Sequence, residues 1–487
     1  MSKKTQSYTN RKHRKYIPER MPGNVAVKNK GGWLPGANGR AAKVEALLRG
    51  RKEETKEIAG NMAGYKDSGV EEVNFIPKDW NTLRMKDAFN ISKEIIGDKW
   101  TEAALLSLTT NGVKSITADE QVGKRPKTFA TYQRVTKNDI VMCLFDLDAS
   151  AVFSGLSGYD GMISPAYKIL KTKEQVLPEF ANYYFQYIFE GRKYKKYAKS
   201  IRYTLSGEEF LRLLIVLPPL HEQQRIADFL DTKCSILDRT IDAVSRQIED
   251  LEKYKKALIT KTVTKGICKK GEPERAMKDS GVEWIGEVPE EWSVSKVKYN
   301  FSTFKKIPGK ESEKYERLSL TMNGVKHREK WTAEGLQPKD FMSYQLLRKG
   351  DLVFRLIDLQ NPSKSRRVAL SHDTGLISPA YTILHADNNK MLPEYAEMFF
   401  LMMSYLDVFN ALGSCGVRSS INNAELMKIS VLVPPLAEQQ QIADYLDEKC
   451  KNIDNRVQKR RQQLEWLQEY KKSLIFDYVT GKKRVEK

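Results

Sequence analysis

The chain is short of the residues from which catalytic and metal sites are built. Its 487 residues include only five cysteines and five histidines. Cys143, Cys234, Cys268, Cys415 and Cys450 show no C-x-x-C spacing, which argues against a zinc site or a disulfide framework and for a reducing compartment. His13, His221, His327, His372 and His385 fall at no ligand or triad spacing, so no metal is expected. There is no G-x-x-x-x-G-K-[ST] phosphate loop, so ATP-driven chemistry is not expected. The Asn/Asp-Pro-Pro-aromatic loop of amino-methyltransferases is also missing: Asn361-Pro362-Ser363-Lys364 lacks the second proline and the aromatic, and Pro218-Pro219 and Pro434-Pro435 follow Leu and Val. No cofactor is expected. No apolar run approaches the roughly 18 residues of a membrane span, and the lysine-rich start lacks the apolar core of a signal peptide. A soluble cytoplasmic protein with no membrane contact is the expectation.

Acidic residues are outnumbered. The 82 Lys and Arg exceed the 62 Asp and Glu, leaving a formal charge of +20 and a pI near 9.4. Such a balance favours a polyanionic partner, nucleic acid before membrane. Residues 1–60 hold 15 of the basic residues against five Glu and so carry half the excess. This stretch reads as a basic, disordered extension with a possible short helix from Ala41 to Ile58, and it fits a solvated tail and a DNA-contacting arm equally.

The chain is also written twice. Pro218-Pro219-Leu220-His221-Glu222-Gln223-Gln224 and the ten residues after it return 216 positions later, from Pro434-Pro435-Leu436-Ala437-Glu438-Gln439-Gln440 to Cys450, with four of 17 positions changed. Lys66-Asp67-Ser68-Gly69-Val70-Glu71 recurs unchanged from Lys278, and Pro77 and Trp80 map onto Pro289 and Trp292. Leu106-Ser107-Leu108-Thr109 matches Leu318-Ser319-Leu320-Thr321, and Ile163-Ser164-Pro165-Ala166-Tyr167 matches Ile377-Ser378-Pro379-Ala380-Tyr381. The period is too long for a solenoid unit, so each copy should be a folded domain with an attached element. Between these anchors the halves diverge, as expected of one scaffold with two recognition surfaces.

After each Pro-Pro pair comes a long stretch with helical periodicity. In the first copy apolar or small residues fall at Ile226, Leu230, Cys234, Leu237, Ile241, Val244, Ile248, Leu251 and Leu258, and in the second at Cys450, Ile453, Val457, Leu464, Leu467 and Leu474. Lys255, Arg460 and Lys471 interrupt the seam. Steps of three and four make a heptad seam that calls for a partner helix, and the two helices are natural partners for each other, some 40 residues and about 60 Å long. The intervening regions read as mixed α/β domains. Strands are predicted at Asp139–Phe145, Leu211–Leu217, Asp351–Ile357 and Leu426–Val433, and helices at Leu177–Glu190 and Leu392–Asp407. The predicted layout is residues 1–60 as the extension, 61–217 and 278–433 as α/β domains, and 218–277 and 434–487 as the helices with their linker.

The paired Pro-Pro-Leu-x-Glu-Gln-Gln helix starts, the Lys-Asp-Ser-Gly-Val-Glu openings followed by Pro and Trp, and the Ile-Ser-Pro-Ala-Tyr segments together resemble the specificity (S) subunits of type I restriction-modification systems. The resemblance covers nearly everything from Lys66 to Gly481. It implies two α/β target recognition domains, each reading one half of a split duplex DNA sequence. The two repeat helices would pair as an antiparallel coiled coil that fixes the gap, with pseudo-twofold symmetry. It also implies docking of modification (M) subunits, two of them, and of restriction (R) subunits through these.

Under this reading the chain is not itself an enzyme, and its basic residues are the candidate DNA contacts. In the first half these are Lys124, Arg125 and Lys127, then Arg192, Lys193, Lys195, Lys196, Arg202 and Tyr203; in the second they are Lys326, Arg328, Arg355, Lys364, Arg366, Arg367 and Arg418. Lysines in such runs neutralise phosphates, whereas Arg, Asn and Gln suit base edges. Residues shared by two divergent domains cannot carry a difference in target. Arg202 with Arg418, and Gln133 with Gln345, are therefore expected on phosphate or in structural roles, and base readers at unmatched positions. Asp146 and Asp148 could suggest a metal pair, but Asp148 maps to Gln360, which favours a structural role. Rival readings are a self-sufficient methyltransferase or nuclease, and a coiled-coil assembly protein without sequence-specific DNA binding.

Overall fold

Proline cannot donate to a helix ladder and is tolerated only ahead of or within the first turn. In the computed structural model, the helices after the two Pro-Pro pairs run Leu220–Lys265 and Leu436–Val479. The structure describes residues 64–110, 112–117, 119–120, 126–198, 203–267, 271, 275–303, 305–330, 340–360, 366–413 and 419–486. The basic extension, with the helix expected over Ala41–Ile58, lies outside them. The chain divides into two units, Met1–Asp67 and Ser68–Lys487. In the first, the strand Tyr65–Asp67 is described.

The second unit repeats one plan. Its longest described helices are α1 (Pro178–Glu190), α2 (Leu220–Lys265), α3 (Pro393–Tyr405) and α4 (Leu436–Val479). In the first half Phe89–Ser92, Lys168–Thr172, Ile140–Met142 and Ser154–Leu156 lie side by side, in that order, in an antiparallel sheet. Phe301–Thr303, Thr382–Ala386, Leu352–Phe354 and Val368–Leu370 reproduce it in the second. A hairpin stands beside each sheet, Leu106–Thr109 with Gly112–Ser115 and Arg317–Thr321 with Gly324–Arg328. Gly112 and Gly324 sit at φ 87° and 86°, where a side chain would strain the turn. Finally, Asn81–Arg84 pairs with Leu214–Leu217, and Ser293–Lys296 with Ser430–Val433, so each half closes start to end before its long helix begins.

The predicted strands are shorter in the structure. Leu211 and Leu426 belong to short helices, Gly207–Arg212 and Asn423–Lys428, and the strands start at Leu214 and Ser430. Reciprocal capping boxes explain the change, Ser206 with Glu209 and Asn422 with Glu425. The strands expected over Asp139–Phe145 and Asp351–Ile357 reduce to Ile140–Met142 and Leu352–Phe354. Just beyond them the chain turns through left-handed Asp146 and Asp358, at φ 50° and 53°.

Each half contributes to a core that also takes in both long helices. The first core joins Trp80, Phe180 and Phe185 to Ile226, Leu230 and Cys234 of α2 and to Leu474, Ile475 and Val479 of α4. The second joins Trp292, Phe354 and Phe400 to Ile442, Leu446 and Cys450 of α4 and to Ile259 and Val263 of α2. Between these ends the helices pair antiparallel. Asp238 meets Lys471 at 2.6 Å, Glu252 meets Arg461 at 2.6 Å and Lys255 meets Asp454 at 2.6 Å, so positions rising along α2 fall along α4. Leu237, Ile241, Val244, Ile248, Leu251 and Leu258 form one apolar cluster with Ile453, Val457, Leu464 and Leu467. The seam-breaking lysines, Lys255 and Lys471, are repeat equivalents, as are their partners Asp454 and Asp238. Each lysine stem covers apolar surface while its ammonium reaches a carboxylate on the opposite helix. Among the described residues no helix is long and apolar enough to cross a membrane.

Ile248 is 9% exposed in this seam. Ile248→Asp should lower unfolding free energy by about 3 kcal/mol, because an unpaired carboxylate would replace apolar packing. Denaturant unfolding of the full chain measures it.

Candidate nucleic-acid interface

The repeated helix-start motif is anchoring machinery, and it sets how each half meets its helix. Glu222 is 4% exposed and accepts from Trp80 Nε1 at 3.1 Å and from Arg484 at 2.9 and 2.6 Å. Glu438 accepts from Trp292 Nε1 at 2.8 Å and from Arg275 at 2.5 and 2.9 Å. Asp79 and Glu291, repeat equivalents, brace the outer sides of the two guanidinium groups. The next motif residue is a clamp. Gln223 donates to the carbonyls of Gln175 and Pro218 and accepts from Leu177 N–H; Gln439 does the same with Lys390, Pro434 and Leu392. The chain after α4 continues the anchoring, with Lys482 Nζ donating to the carbonyls of Val73 and Phe75.

Gln133 and Gln345 also act structurally. Gln133 Nε2 donates to the carbonyls of Ser164 and Tyr167, and Gln345 Nε2 to those of Ser378 and Tyr381. The repeated Ser-Pro-Ala-Tyr loop is thereby held the same way in both halves.

Several of the predicted DNA contacts serve internal bonding. Arg192 donates to the carbonyls of Leu147 and Ser150 at 3.0 and 2.7 Å and lies 4.4 Å from the Phe189 ring centroid. Arg367, 8% exposed, donates to the carbonyls of Ile357, Asp358 and Leu359. Two arginines from unrelated sequence positions thus staple the same left-handed loop, one in each half. Burial pulls the pKa of Arg367 down, and the neighbouring Arg355 adds to the shift. Arg355 itself is 6% exposed. Lys196 pairs with Glu71 and Glu72 at 2.5 and 2.8 Å. Lys193 covers the Tyr187 ring, and Lys195 covers Tyr203 while reaching Asp148 at 3.9 Å. Arg366 Nε donates to Met322 O at 3.0 Å, and its Nη1 is 3.7 Å from Glu397, whose carboxyl pKa burial raises.

Lys127, Lys326 and Arg328 remain exposed. Lys326 and Arg328 share a face of the Arg317–Arg328 hairpin, opposite Ser319 and Arg317. Lys114 holds the matching place to Lys326, opposite Ser107. Sequence reading passed over Lys114 and Arg317; the mismatch of Arg317 with Leu105, at the edge of an otherwise matched strand, is the signal that marks the latter. Lys124, Arg125, Arg202, Lys364 and Arg418 lie outside the described residues.

Among the described residues no group of three His, Cys, Asp or Glu could hold a metal ion. Burial pushes the Cys234 and Cys450 thiols up to about 11, so neither is a ready nucleophile.

Comparison with known proteins gives the same picture. The family model for the type I restriction modification DNA specificity domain matches residues 77–253 and 380–465. The type I restriction enzyme MjaVIII specificity subunit of Methanocaldococcus jannaschii is 26% identical over 455 residues, covering 87% of this chain and 98% of that protein. The putative type I restriction enzyme MjaX specificity subunit of the same organism is 25% identical over 449 residues, with the same coverage. A solved structure concerned with complex assembly and conformational transition of the type I R-M system shares the fold, with a TM-score of 0.56 at 12% identity, covering 83% of this chain and 98% of that one.

The difference between stapling and surface cations is measurable. Arg367→Met should cost about 2–3 kcal/mol, since loop carbonyls lose a buried charged donor, whereas Lys326→Met should stay within about 0.5 kcal/mol. Denaturant midpoints of the two variants test the contrast.

Proposed function

The chain belongs to the type I restriction modification DNA specificity family, and from that premise we propose that its two halves, residues 61–217 and 278–433, each read one half of a bipartite duplex target across a gap set by α2 and α4. It is a specificity subunit: it supplies DNA recognition, while methylation and cleavage belong to the other subunits of the complex. Its partners are DNA and the modification and restriction subunits. On our reading two adenine-methylating modification subunits dock, one for each repeat, and the restriction subunits join through them, in the cytoplasm where the DNA lies.

The observation that carries this reading is the matched anchoring of two diverged halves on one antiparallel helix pair. Trp80–Glu222–Arg484 and Trp292–Glu438–Arg275 fasten equivalent surfaces at opposite ends of the pair. Two half-sites at a fixed distance and rotation require such stiffness, because a flexible linker would smear the spacing. Divergent halves on a symmetric frame also permit an asymmetric target. The Lys114 and Lys326 pair, shared by both hairpins, suits phosphate contact, which positions the protein without reading sequence.

Two experiments test this. Exchanging residues 278–433 for the equivalent domain of a relative should change one half of the methylated motif, mapped by modified-base sequencing of the full complex. Replacement of neither half, or of both together, would defeat the one-domain, one-half-site assignment. Inserting one heptad at facing positions of both helices, after Glu249 and after Lys459, should preserve the seam and lengthen the pair by about 10 Å. The motif should then keep its bases and gain about three base pairs of gap.

A further inference from the structure

The two hairpins differ in charge at matched positions. In the second half Arg317 and Arg328 are directly opposed across the antiparallel ladder. Like charges opposite each other on one face repel. A third guanidinium, Arg355, leaves the neighbouring sheet just after Leu352–Phe354. The equivalent positions in the first half are Leu105, Ile116 and Cys143. Leu105 and Ile116 pack with Phe129, Tyr132 and Met162 in an apolar cluster. Phe341 and Tyr344 repeat Phe129 and Tyr132. In place of the aliphatic neighbours, Arg317 lies over Phe341, 5.5 Å from the ring centroid, and its Nη1 donates to Lys330 O at 3.4 Å.

Burial raises the pKa of Tyr381, and the charges of Arg355, Arg317 and Arg328 oppose that shift. At the equivalent Tyr167 burial also raises the pKa, and Cys143 adds to it. At these three matched positions the second half carries guanidinium groups and the first half Leu105, Ile116 and Cys143. On the same hairpin faces Lys326 is matched by Lys114, so the shared cation and the unshared ones are sorted side by side.

Resting on the function proposed above, we infer that Arg317 and Arg328 are specificity-determining residues that read guanine in the half-site of the second domain. Positions shared by both halves cannot distinguish their targets, and these two are unshared. A phosphate contact needs only a charge. A base edge needs a planar fork held at a set angle, and Phe341 beneath Arg317 supplies that restraint. Arginine bound bidentate to guanine O6 and N7 is the commonest specific contact in the major groove. At the matching positions the first half carries Leu105 and Ile116, whose side chains have no such fork.

The test is motif mapping with the full complex carrying Arg317→Leu and Arg328→Ile, the residues of the first half, alone and together. The second half of the methylated motif should contain guanine in the parent, and discrimination for it should fall about tenfold or more in the variants, with the first half and gap unchanged. Arg317→Lys with Arg328→Lys keeps the charge and removes the fork; it should relax the same positions, and it serves if the apolar variants fold poorly. An unchanged motif with uniformly weaker, less salt-dependent binding would overturn the inference in favour of phosphate contacts. So would an unchanged motif with unchanged affinity, or a parent half-site without guanine. The domain exchange separates the two levels. If exchange changes the second half-site and the arginine variants do not, only the guanine assignment fails; if exchange changes nothing, both fail.

Discussion

A carboxylate in the first turn of each long helix, bonded to a tryptophan and an arginine, is the constraint on which the arrangement depends. Glu222 is buried and Glu438 partly exposed, and each accepts hydrogen bonds from one tryptophan N–H and from one arginine. A two-pronged guanidinium contact has a preferred plane, and an indole N–H has a preferred line. Together they restrict rotation of each α/β half about its helix in a way that apolar packing alone does not. The gap between two recognition surfaces is meaningful only if both ends are held in this manner.

Cations in this chain do two kinds of work, and local sequence does not separate them. Arg192 and Arg367 each hold the loop after a core strand, yet they occupy unrelated places in the alignment. The same loop carbonyls are thus met by donors from different places in the two halves. By contrast, the hairpin face carries lysine in both halves, beside aliphatic residues in the first and arginines in the second.

The frame was legible because its signals are local and repeated. Pro-Pro marked both helix starts, the three-four spacing marked the seam, and the internal repeat made each half a check on the other. Leu211 and Leu426 were misjudged because a short apolar run looks alike in a strand and in the last turn of a helix, while the Ser206 and Asn422 caps that decide the matter lie several residues upstream. The site was less legible. Whether Lys196 faces solvent or Glu72 depends on a contact between residues more than 120 positions apart, and no spacing rule reaches that far. Arg317 was overlooked since a single arginine at a strand edge is unremarkable until Arg328 is seen opposite it.

The last turns of α4 belong to the core of the first half, and Arg484 beyond them completes the knot around Glu222. Synthesis proceeds from the N-terminus. The first half, complete at Leu217, therefore waits roughly 260 residues for the last turns of α4 and for Arg484. The second half does not wait in this way for its arginine, because Arg275 precedes it. Order of manufacture thus breaks the symmetry that the finished molecule displays: the domain made first is completed last.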